Sequence, residues 1–536
     1  MTIQTNTRER IGTIGKIKAL AAGLLVAAMM AASIMADAPA HASTTFVVNS
    51  QDDQVDTNEF DGVCDADLAA AGNQCTLRAA IQQANRTSGA DTINFNIPQG
   101  GISLFLTTPM PGITDTVTID GYTQPTSSRN TLATGTNAVT RVELFGSNLS
   151  GGNGLSIEAN NSVIRGLTID DFGSDGIVVK GNGNRIEGSF IGTEPQGPAD
   201  MGNGQNGVAI LSGSNNTIGG TSPAARNNIS ANDTNGVQIS GGGAGNKVLG
   251  NLIGTFKDGT SVLGNSGFGV LVIGSTNNAI GDGTAAGANT IAFNGRDGVS
   301  IHGNQDTGNR ISRNSIFSNA GLGIELNGAP SANNDPGDAD FGANNLQNFP
   351  VITSAKNTST TTIQGKLGSK PNKTFTVQFF SNSSGTNEGR KFIGSKSVTT
   401  DASGNASFAF KSASKVATGR TITATATDAS GNTSEFSAPK TVALSTGSAL
   451  SPETTKLSGP SGVTKNPTAH FKFTSPHPQA TFECSLDGGA YYEGSSPENV
   501  NRLLDGRHTF MVRALDLEGT ADPTPAEWVW AVERNK

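Results

Sequence analysis

The 536-residue chain is poor in charged, aromatic and cysteine residues, and each shortage narrows the choice of function. Charged residues make up 15% of it, whereas about a quarter is usual for a globular domain. The formal net charge is −8, and basic residues do not cluster, so the chain lacks the basic surface that nucleic acid or an anionic membrane requires. Apolar residues recur at fixed offsets from glycine, which argues against disorder.

Residues 1–42 have the pattern of an export signal. A basic start precedes the apolar run Ala19–Met35, and Ala40-His41-Ala42 provides a small-x-small cleavage site. An uncleaved membrane anchor is the alternative, because the run approaches membrane-spanning length. Its many alanines favour cleavage between Ala42 and Ser43, which predicts a secreted or cell-surface protein without a transmembrane segment in the mature chain.

The chain has three cysteines, two of them close together. In an exported protein this spacing predicts one disulfide, Cys64–Cys75, and one unpaired thiol, Cys484. A bridge that closes so short a loop contributes about 2–4 kcal/mol. Two reduced thiols are the alternative, which export disfavours.

One short phrase recurs between residues 153 and 326: a residue that is usually polar, glycine, Val, Ile or Leu, any residue, and an aliphatic residue. Its glycines are Gly154, Gly176, Gly207, Gly236, Gly269, Gly298 and Gly323. The steps of 22 to 33 residues indicate a solenoid. A second recurring element adds two short aliphatic stretches, so each turn holds three strands, as in a parallel β-helix. A propeller blade needs four strands in about 40–50 residues, which these steps cannot hold.

Four inserts lengthen successive turns, at 193–205, 216–231, 255–266 and 278–294. They alternate in type, which predicts loops raised on one side and a contact surface there. Asn and Gly at the corners are expected to adopt left-handed backbone conformations, and stacked Asn side chains to form hydrogen-bonded ladders.

A single convincing helix precedes the repeats. Leu77, Ile81 and Ala84 share one helical face, and Thr76 is its expected N-cap. Pinned by the disulfide, this helix would cover the open end of the first coil. After Leu326 the apolar pattern changes to period two, typical of antiparallel strands. The predicted organisation is a signal peptide (1–42), N-terminal cap and first coils (43–150), regular coils (151–350), a β-sandwich (351–444), a linker (445–465) and a β-module (466–536).

The segment Cys75–Asn85 resembles the CSLREA-type motif of exported bacterial right-handed β-helix proteins. The strings Ile119–Pro125, Asn345–Pro350 and Thr421–Phe436 extend the resemblance, which covers about residues 44–440. It implies an all-β fold and export, but no reaction. Ala79 stands where the family usually has Glu, so the helix keeps half of its capping box.

The last module resembles bacterial Ig-like repeats, in Phe482–Ala490 and Asp505–Ala514. Such repeats usually carry a second cysteine where this chain has Gly494, so Cys484 is expected to be a lone, semi-buried thiol. The expected fold class is therefore all-β: a right-handed parallel β-helix with an N-terminal capping helix, followed by two small antiparallel β-sandwich domains. The two modules are expected to act as spacers or attachment elements.

Motifs for chemistry are few. A hydrolase on this scaffold needs several carboxylates on one face, and Asp170, Asp171 and Asp175 are the candidates; capping of tight turns is the alternative. His302 is expected to face solvent without partners. Three recurring arginines line either an acidic-sugar groove or a plain surface stripe: Arg165, Arg185 and Arg310. No motif supports a Ser-His-Asp or Cys-His nucleophile.

A loop after the last repeat is rich in oxygen ligands. Asp335, Asp338 and Asp340 follow two asparagines, a composition that suits Ca²⁺, although the spacing is not that of an EF-hand. Ordinary Asx turns are the alternative. The favoured function is a secreted or cell-surface, non-catalytic protein that binds a polysaccharide or another surface partner, as in adhesion. A polysaccharide lyase or glycoside hydrolase, and a structural envelope protein, are the alternatives.

Overall fold

A computed structural model of the chain describes residues 43–98, 102–149, 151–197, 201–327, 333–357, 359–383, 385–444, 452–477, 479–516 and 519–534. The predicted signal peptide lies outside these residues. Two compact units are present: residues up to Ala355 together with Thr360–Val442, and Lys356–Ser359 together with residues from Ala443 onward. Among the described residues, none of the helices combines the length and apolarity needed to cross a bilayer.

The first unit contains three long parallel sheets, named A, B and C in the order in which each turn visits them. Sheet A consists of Thr45–Val48, Asp91–Phe95, Val117–Asp120, Val163–Arg165, Arg185–Glu187, Thr217–Gly219, Lys247–Leu249, Ala279–Ile280 and Arg310–Ile311. Sheet B consists of Ile102–Phe105, Val142–Phe145, Leu167–Asp170, Phe190–Ile191, Asn228–Ile229, Leu252–Ile253, Thr290–Ala292 and Ser315–Phe317. Sheet C consists of Leu155–Ile157, Ile177–Val179, Val208–Ile210, Val237–Ile239, Val270–Ile273, Val299–His302 and Ile324–Leu326. The predicted parallel β-helix is confirmed.

The recurring phrase marks the strands of sheet C. Val208 pairs in register with Val237, and Ile210 with Ile239, and all four side chains are buried in one continuous core. The glycine of the phrase is required by close approach rather than by a left-handed backbone. A Cβ on Gly207 would lie 2.8 Å from the carbonyl oxygen of Gly236 in the next coil, closer than side chains tolerate. Each coil thus stacks directly on its neighbour.

Ladders of buried asparagine side chains join the coils at their corners, as predicted. In one ladder Asn203 Nδ2 donates to Asn232 Oδ1 at 2.9 Å, and Asn232 Nδ2 donates to Asn265 Oδ1 at 2.8 Å. Asn265 continues it to Asn294. Other corners have left-handed backbone at Asn and Gly, such as Asn161 (φ 58°). The ladders satisfy amide groups that would otherwise be buried without partners.

The helix Leu77–Arg86 packs on the first strands of sheet A. Thr76 Oγ1 accepts a hydrogen bond from the Ala79 amide, so the predicted N-cap is confirmed. Arg78 forms a buried ion pair with Asp53 at 2.8 Å and donates to the carbonyl of Thr108 in the first coil. The predicted Cys64–Cys75 disulfide is present.

Two antiparallel sheets follow the β-helix within the first unit. One contains Asn405–Lys411, Thr361–Gly368 and Val351–Asn357, and the other contains Lys391–Thr399, Thr374–Asn382, Thr421–Thr427 and Lys440–Thr441. Three short 3₁₀ segments occur at Gly121–Thr123, Pro223–Ala225 and Ala343–Leu346.

These antiparallel sheets also cover the edge of the last coil. Gly389 exchanges two backbone hydrogen bonds of 3.0 Å with Ile316 of sheet B. The buried carboxylate of Glu388 accepts the amides of Ser318 and Asn319 and ends the ladder described above. Other side chains accept last-coil amides in the same way: Asn432 from Gly308, Thr433 from Ile311 and Glu435 from Leu326. The coil edge is thereby closed.

The second unit is a separate antiparallel module with its own aromatic core. Its sheets contain Thr455–Ser458, Ala469–Thr474 and Glu498–Val500, and Gly462–Thr464, Ala526–Val532, Gly506–Leu515, Thr481–Leu486 and Tyr492–Gly494. The short strand Ala443–Leu444 pairs with Lys356 and Asn357. Two of these strands, Thr455–Ser458 and Gly462–Thr464, lie in the segment predicted as a linker. The Ser, Thr and Gly content of that segment obscured the strand pattern. Cys484 is fully buried rather than semi-buried, and burial raises the pKa of its thiol to about 12.

Candidate functional site

The inserts are arranged around sheet B. Those at 193–205 and 255–266 lie between sheets B and C, whereas those at 216–231 and 278–294 include the passage from sheet A to sheet B. They therefore flank sheet B at both ends of its strands, not on one side. A loop of an earlier coil hydrogen bonds to two of the inserts: Arg226 donates to the carbonyl of Ala133, and the Thr136 amide donates to the carbonyl of Lys257.

This layer of inserts covers the outer face of sheet B in its middle coils. Outward-facing Phe190, Asn228 and Leu252 occupy one register column, and each is at most 3% exposed. The same column continues towards the N-terminal coils as Thr168, Glu143 and Ser103. There the cover ends, and a cavity opens.

The cavity has a volume of about 280 Å³ and is almost entirely polar in its lining residues. Ser103, Glu143 and Thr168 form its floor, Thr140 and Arg141 come from the preceding loop, and Glu194 and Gln196 come from the first insert. Ser103 Oγ donates to Glu143, and the hydroxyls of Thr140 and Thr168 hydrogen bond at 2.7 Å. We call these residues the sheet-B pocket.

Beside the pocket, Asp170 is completely buried on the outer face of sheet B, in the register column next to that of Glu143 and Thr168. Phe145 pairs with Asp170 and Glu143 with Thr168, so the two carboxyl groups are diagonal neighbours on adjacent strands. Neither oxygen of Asp170 has a hydrogen-bond donor among the described residues. Burial, followed by the nearby charges of Glu143 and Glu194 and a hydrogen bond to Glu143, raises the pKa of Asp170 to about 9. Asp170 is therefore protonated at neutral pH.

Aromatic side chains lie beside the pocket. Phe105 and Phe145 occupy the next outward column, with ring centroids 5.5 Å apart in an edge-to-face arrangement. Phe105 is 52% exposed, so its ring is accessible to a ligand. Ser103 and Phe105 also line a second cavity of about 730 Å³ that reaches Arg78 and the loop at 51–57. Polar groups and aromatic rings thus share one continuous surface.

The three aspartates proposed from the sequence have different surroundings. Asp170 lies beside the sheet-B pocket, on the same face of the sheet. Its neighbour Asp171 has a left-handed backbone (φ 56°), and its amide donates to the carbonyl of Met201. Asp175 Oδ1 accepts hydrogen bonds from both the backbone and the side-chain amide of Asn206, at 3.0 and 2.7 Å. Asp175 is therefore a member of a corner ladder.

The recurring arginines do not form a free basic stripe. Arg165 contacts Asp120 at 2.6 Å, and Arg185 contacts Glu187 at 2.5 Å. Arg310 is exposed on the last strand of sheet A. Pairing with acidic neighbours leaves Arg165 and Arg185 less available to an anionic ligand.

His302 has partners, so the expectation of an isolated surface histidine was wrong. Its Nε2 lies 2.8 Å from Ser300 Oγ and 3.4 Å from a carboxylate oxygen of Glu325. Phe268 packs edge-to-face against its ring. Ser300 and Glu325 stack in adjacent coils, a register that the sequence does not reveal. Ser300 is fully buried, so this network braces sheet C and offers no accessible nucleophile.

The aspartates after the last repeat do converge. Carboxylate oxygens of Asp335, Asp338 and Asp340 lie within 4.8 Å of one another. Asp338 is buried and accepts hydrogen bonds from the Asn348 amide and the Ser369 hydroxyl. One oxygen each of Asp335 and Asp340 is buried and has no donor among the described residues. Burial raises the pKa of Asp338 and Asp340. These oxygen ligands suit Ca²⁺ chemically.

Two residues of the pocket escaped sequence reasoning. Glu143 precedes Asp170 by a whole coil, and Glu194 belongs to a loop of irregular length. A signal for Glu143 does exist, since it is an acidic residue within the short apolar strand Val142–Phe145. An acidic residue among apolar neighbours in a short strand is a reason to look for a binding site on the outer face of that sheet.

Comparisons with known proteins give likeness in solved structures only. No protein-family model and no curated protein matches the sequence. A mutant of the periplasmic alginate epimerase AlgG is 15% identical, with 45% of this chain and 73% of that chain covered and a TM-score of 0.22. Tailspike protein 2 of Escherichia coli O157:H7 bacteriophage CAB120 is 13% identical, with 63% and 56% covered and a TM-score of 0.20.

Dimeric latent PorU from Porphyromonas gingivalis is 12% identical, with 35% of this chain covered and a TM-score of 0.13. The chain spans about a quarter of PorU (24%) and little more than half of the tailspike. Identities at this level carry no function across, and the fold assignment rests on the three parallel sheets themselves. The chain is a parallel β-helix protein with a carboxyl-lined pocket on the outer face of sheet B.

Proposed function

We propose that this protein is exported and binds a glycan, without cleaving it, through the sheet-B pocket and the aromatic surface beside it. The observation that carries the proposal is the junction of Phe105 with the polar cavity. Sugar rings present apolar C–H faces and a rim of hydroxyls, and recognition sites combine aromatic surface with a few convergent polar groups. Phe105 and Phe145 supply the aromatic surface. The convergent polar groups are Ser103, Glu143 and Glu194.

Binding without cleavage is favoured by the position of Asp170. A catalytic carboxyl group must reach the bond that breaks, but Asp170 is completely buried and does not line the pocket. Its pairing with Glu143 holds the latter in place. The second candidate is a glycoside hydrolase or polysaccharide lyase, because Glu143 and Glu194 line one cavity and glycosidases use two carboxyl groups. A structural envelope protein without a ligand is the third.

The proposal also includes export of the protein and its relationship to the CSLREA-type β-helix proteins. The signal-like segment 1–42, the CSLREA-type string at Cys75–Asn85 and the Ig-like strings of the last module support a secreted or cell-surface protein of that kind. The proposed domains are those predicted from the sequence, except that the last module begins within the predicted linker, at the strand Thr455–Ser458. The β-helix presents the ligand-binding face. The contact surface includes the insert at 193–205, which contributes Glu194.

A glycan array probed with the mature protein tests binding, and the same glycans are then assayed for reducing ends and for unsaturated uronates. We expect binding without product. Phe105→Ala should weaken binding at least tenfold, whereas Phe341→Ala, which removes a still more exposed ring (84% against 52%) from the loop after the last coil, should not. Product that is lost in Glu143→Gln would establish the enzyme instead. If the array detects no binding and the assays detect no product, the result would favour the structural envelope protein.

A further inference from the structure

We propose that the carboxyl groups of Glu143 and Asp170 share one proton, and that the sheet-B pocket therefore selects an uncharged, hydroxyl-rich sugar over a uronate. The inference rests on the proposed glycan binding and names its ligand class.

The packing of the two carboxyl groups requires the proton. Asp170 is fully buried, and no described residue donates a hydrogen bond to either of its oxygens. Glu143 lies diagonally across from it on the adjacent strand, and the charge of Glu143 raises the pKa of Asp170. Two carboxylates in contact cannot both be ionised, and an unpaired buried charge is strongly disfavoured. One proton between them converts the contact into a hydrogen bond.

Other charged groups around the pair strengthen this conclusion. Glu194 and Asp171 add negative charge from the insert and from the corner after the strand, and both act in the same direction on Asp170. The cation in the pocket is Arg141, whose Nε is buried and has no partner among the described residues. One guanidinium does not neutralise several carboxyl groups, so the pocket keeps a negative balance above the shared proton.

This charge pattern determines which sugars fit. A uronate carboxylate entering the pocket would lie against Glu143 and Glu194, and like charges in a partly buried site repel strongly. A neutral sugar meets no such cost. Its hydroxyls donate to the carboxylate oxygens of Glu143 and Glu194 and accept from the Gln196 amide. We expect at least tenfold preference for a neutral glycan over its uronate counterpart.

Two independent measurements test the proposal. Infrared spectroscopy at pH 7 detects the C=O stretch of a protonated carboxyl group, and the spectrum of wild type minus that of Asp170→Asn should contain one such band. Glu143→Gln should shift this band, because Asp170 stays buried and protonated but changes its hydrogen-bonding partner, whereas Asp171→Asn, which removes a neighbouring carboxylate, should leave it in place. A difference spectrum without the band would overturn the shared proton. The shared proton would also be overturned if calorimetry detected Ca²⁺ binding to the wild type that Asp170→Asn abolishes.

The ligand class is tested on an array that contains neutral, uronate and sulfated glycans, including oligogalacturonates with and without methyl esters. Binding confined to neutral sugars, and lost in Glu143→Lys, is expected. Binding to uronates that equals or exceeds binding to neutral sugars would refute the selectivity while leaving glycan binding intact. Failure to bind any glycan would refute the proposed function, and the ligand class with it, whatever the infrared result.

Discussion

Replacing Asp170 with Asn should stabilise the protein, and the gain should depend on pH. The pKa of this carboxyl group rises from its ordinary value of 3.8 to about 9 in the folded state. The folded protein therefore holds a proton that the unfolded chain releases, so the free energy of unfolding falls as pH rises from about 4 to about 9. Each pH unit in this window is equivalent to about 1.4 kcal/mol. Between the ordinary pKa and pH 7 the penalty reaches up to about 4 kcal/mol.

An uncharged amide of the same shape avoids this penalty and still donates a hydrogen bond to Glu143. Urea unfolding of the wild type and of Asp170→Asn at pH 4.5 and at pH 8 measures the difference, which should be small at the lower pH and several kcal/mol at the higher. Asp171→Asn is the matched control and should have little effect at either pH. A variant whose stability differs from wild type by the same amount at both pH values would refute the reasoning.

Three further predictions concern the ends of the structure. Calcium should raise the melting temperature through the loop of Asp335, Asp338 and Asp340, and a chelator should reverse this; identical melts with and without chelator would contradict it. Glu388→Ala should lower the free energy of unfolding by about 3 kcal/mol, because it leaves buried last-coil amides without an acceptor, whereas Glu158→Ala, at an exposed ion pair, should cost less than about 1 kcal/mol; equal losses in urea unfolding would argue against the seal. Gly494→Cys should form a disulfide with Cys484, since a Cβ there would touch its sulfur, and raise stability in calorimetry by about 2–3 kcal/mol; a free-thiol assay that still finds both thiols would disprove the pairing.

The repeated coils were predictable because their signal is local. Each strand of sheet C carries its own glycine, Val, Ile or Leu and aliphatic residue, and the reason for the glycine is the contact with the next coil, which is the same in every turn. The helix at Leu77–Arg86 was predictable for a similar reason, since its N-cap and apolar face lie within ten residues. Its ion pair with Asp53 was not apparent, because that partner lies 25 residues upstream.

The site was predictable only in part, because it depends on register between coils of unequal length. Asp170 stood out in the sequence, but its partner Glu143 became visible only when Phe145 was found opposite Asp170. The seal of the last coil is a similar case. Period-two strands predicted an antiparallel module, but nothing local to Glu388 indicates that its carboxylate binds amides about 70 residues upstream.

That seal also governs how the protein can change length. A coil inserted between two existing coils would keep the asparagine ladders on both of its sides, and the final coil would still meet Glu388 and Gly389. A coil added after Ile316 would separate these acceptors from the amides they serve. Duplication of the repeat is thus confined to the interior, and the number of coils is a quantity that evolution can vary without rebuilding either end. The sheet edge through which parallel strands recruit further chains into fibres is met at this end by the backbone of Gly389 and by side chains such as Glu388 and Thr433.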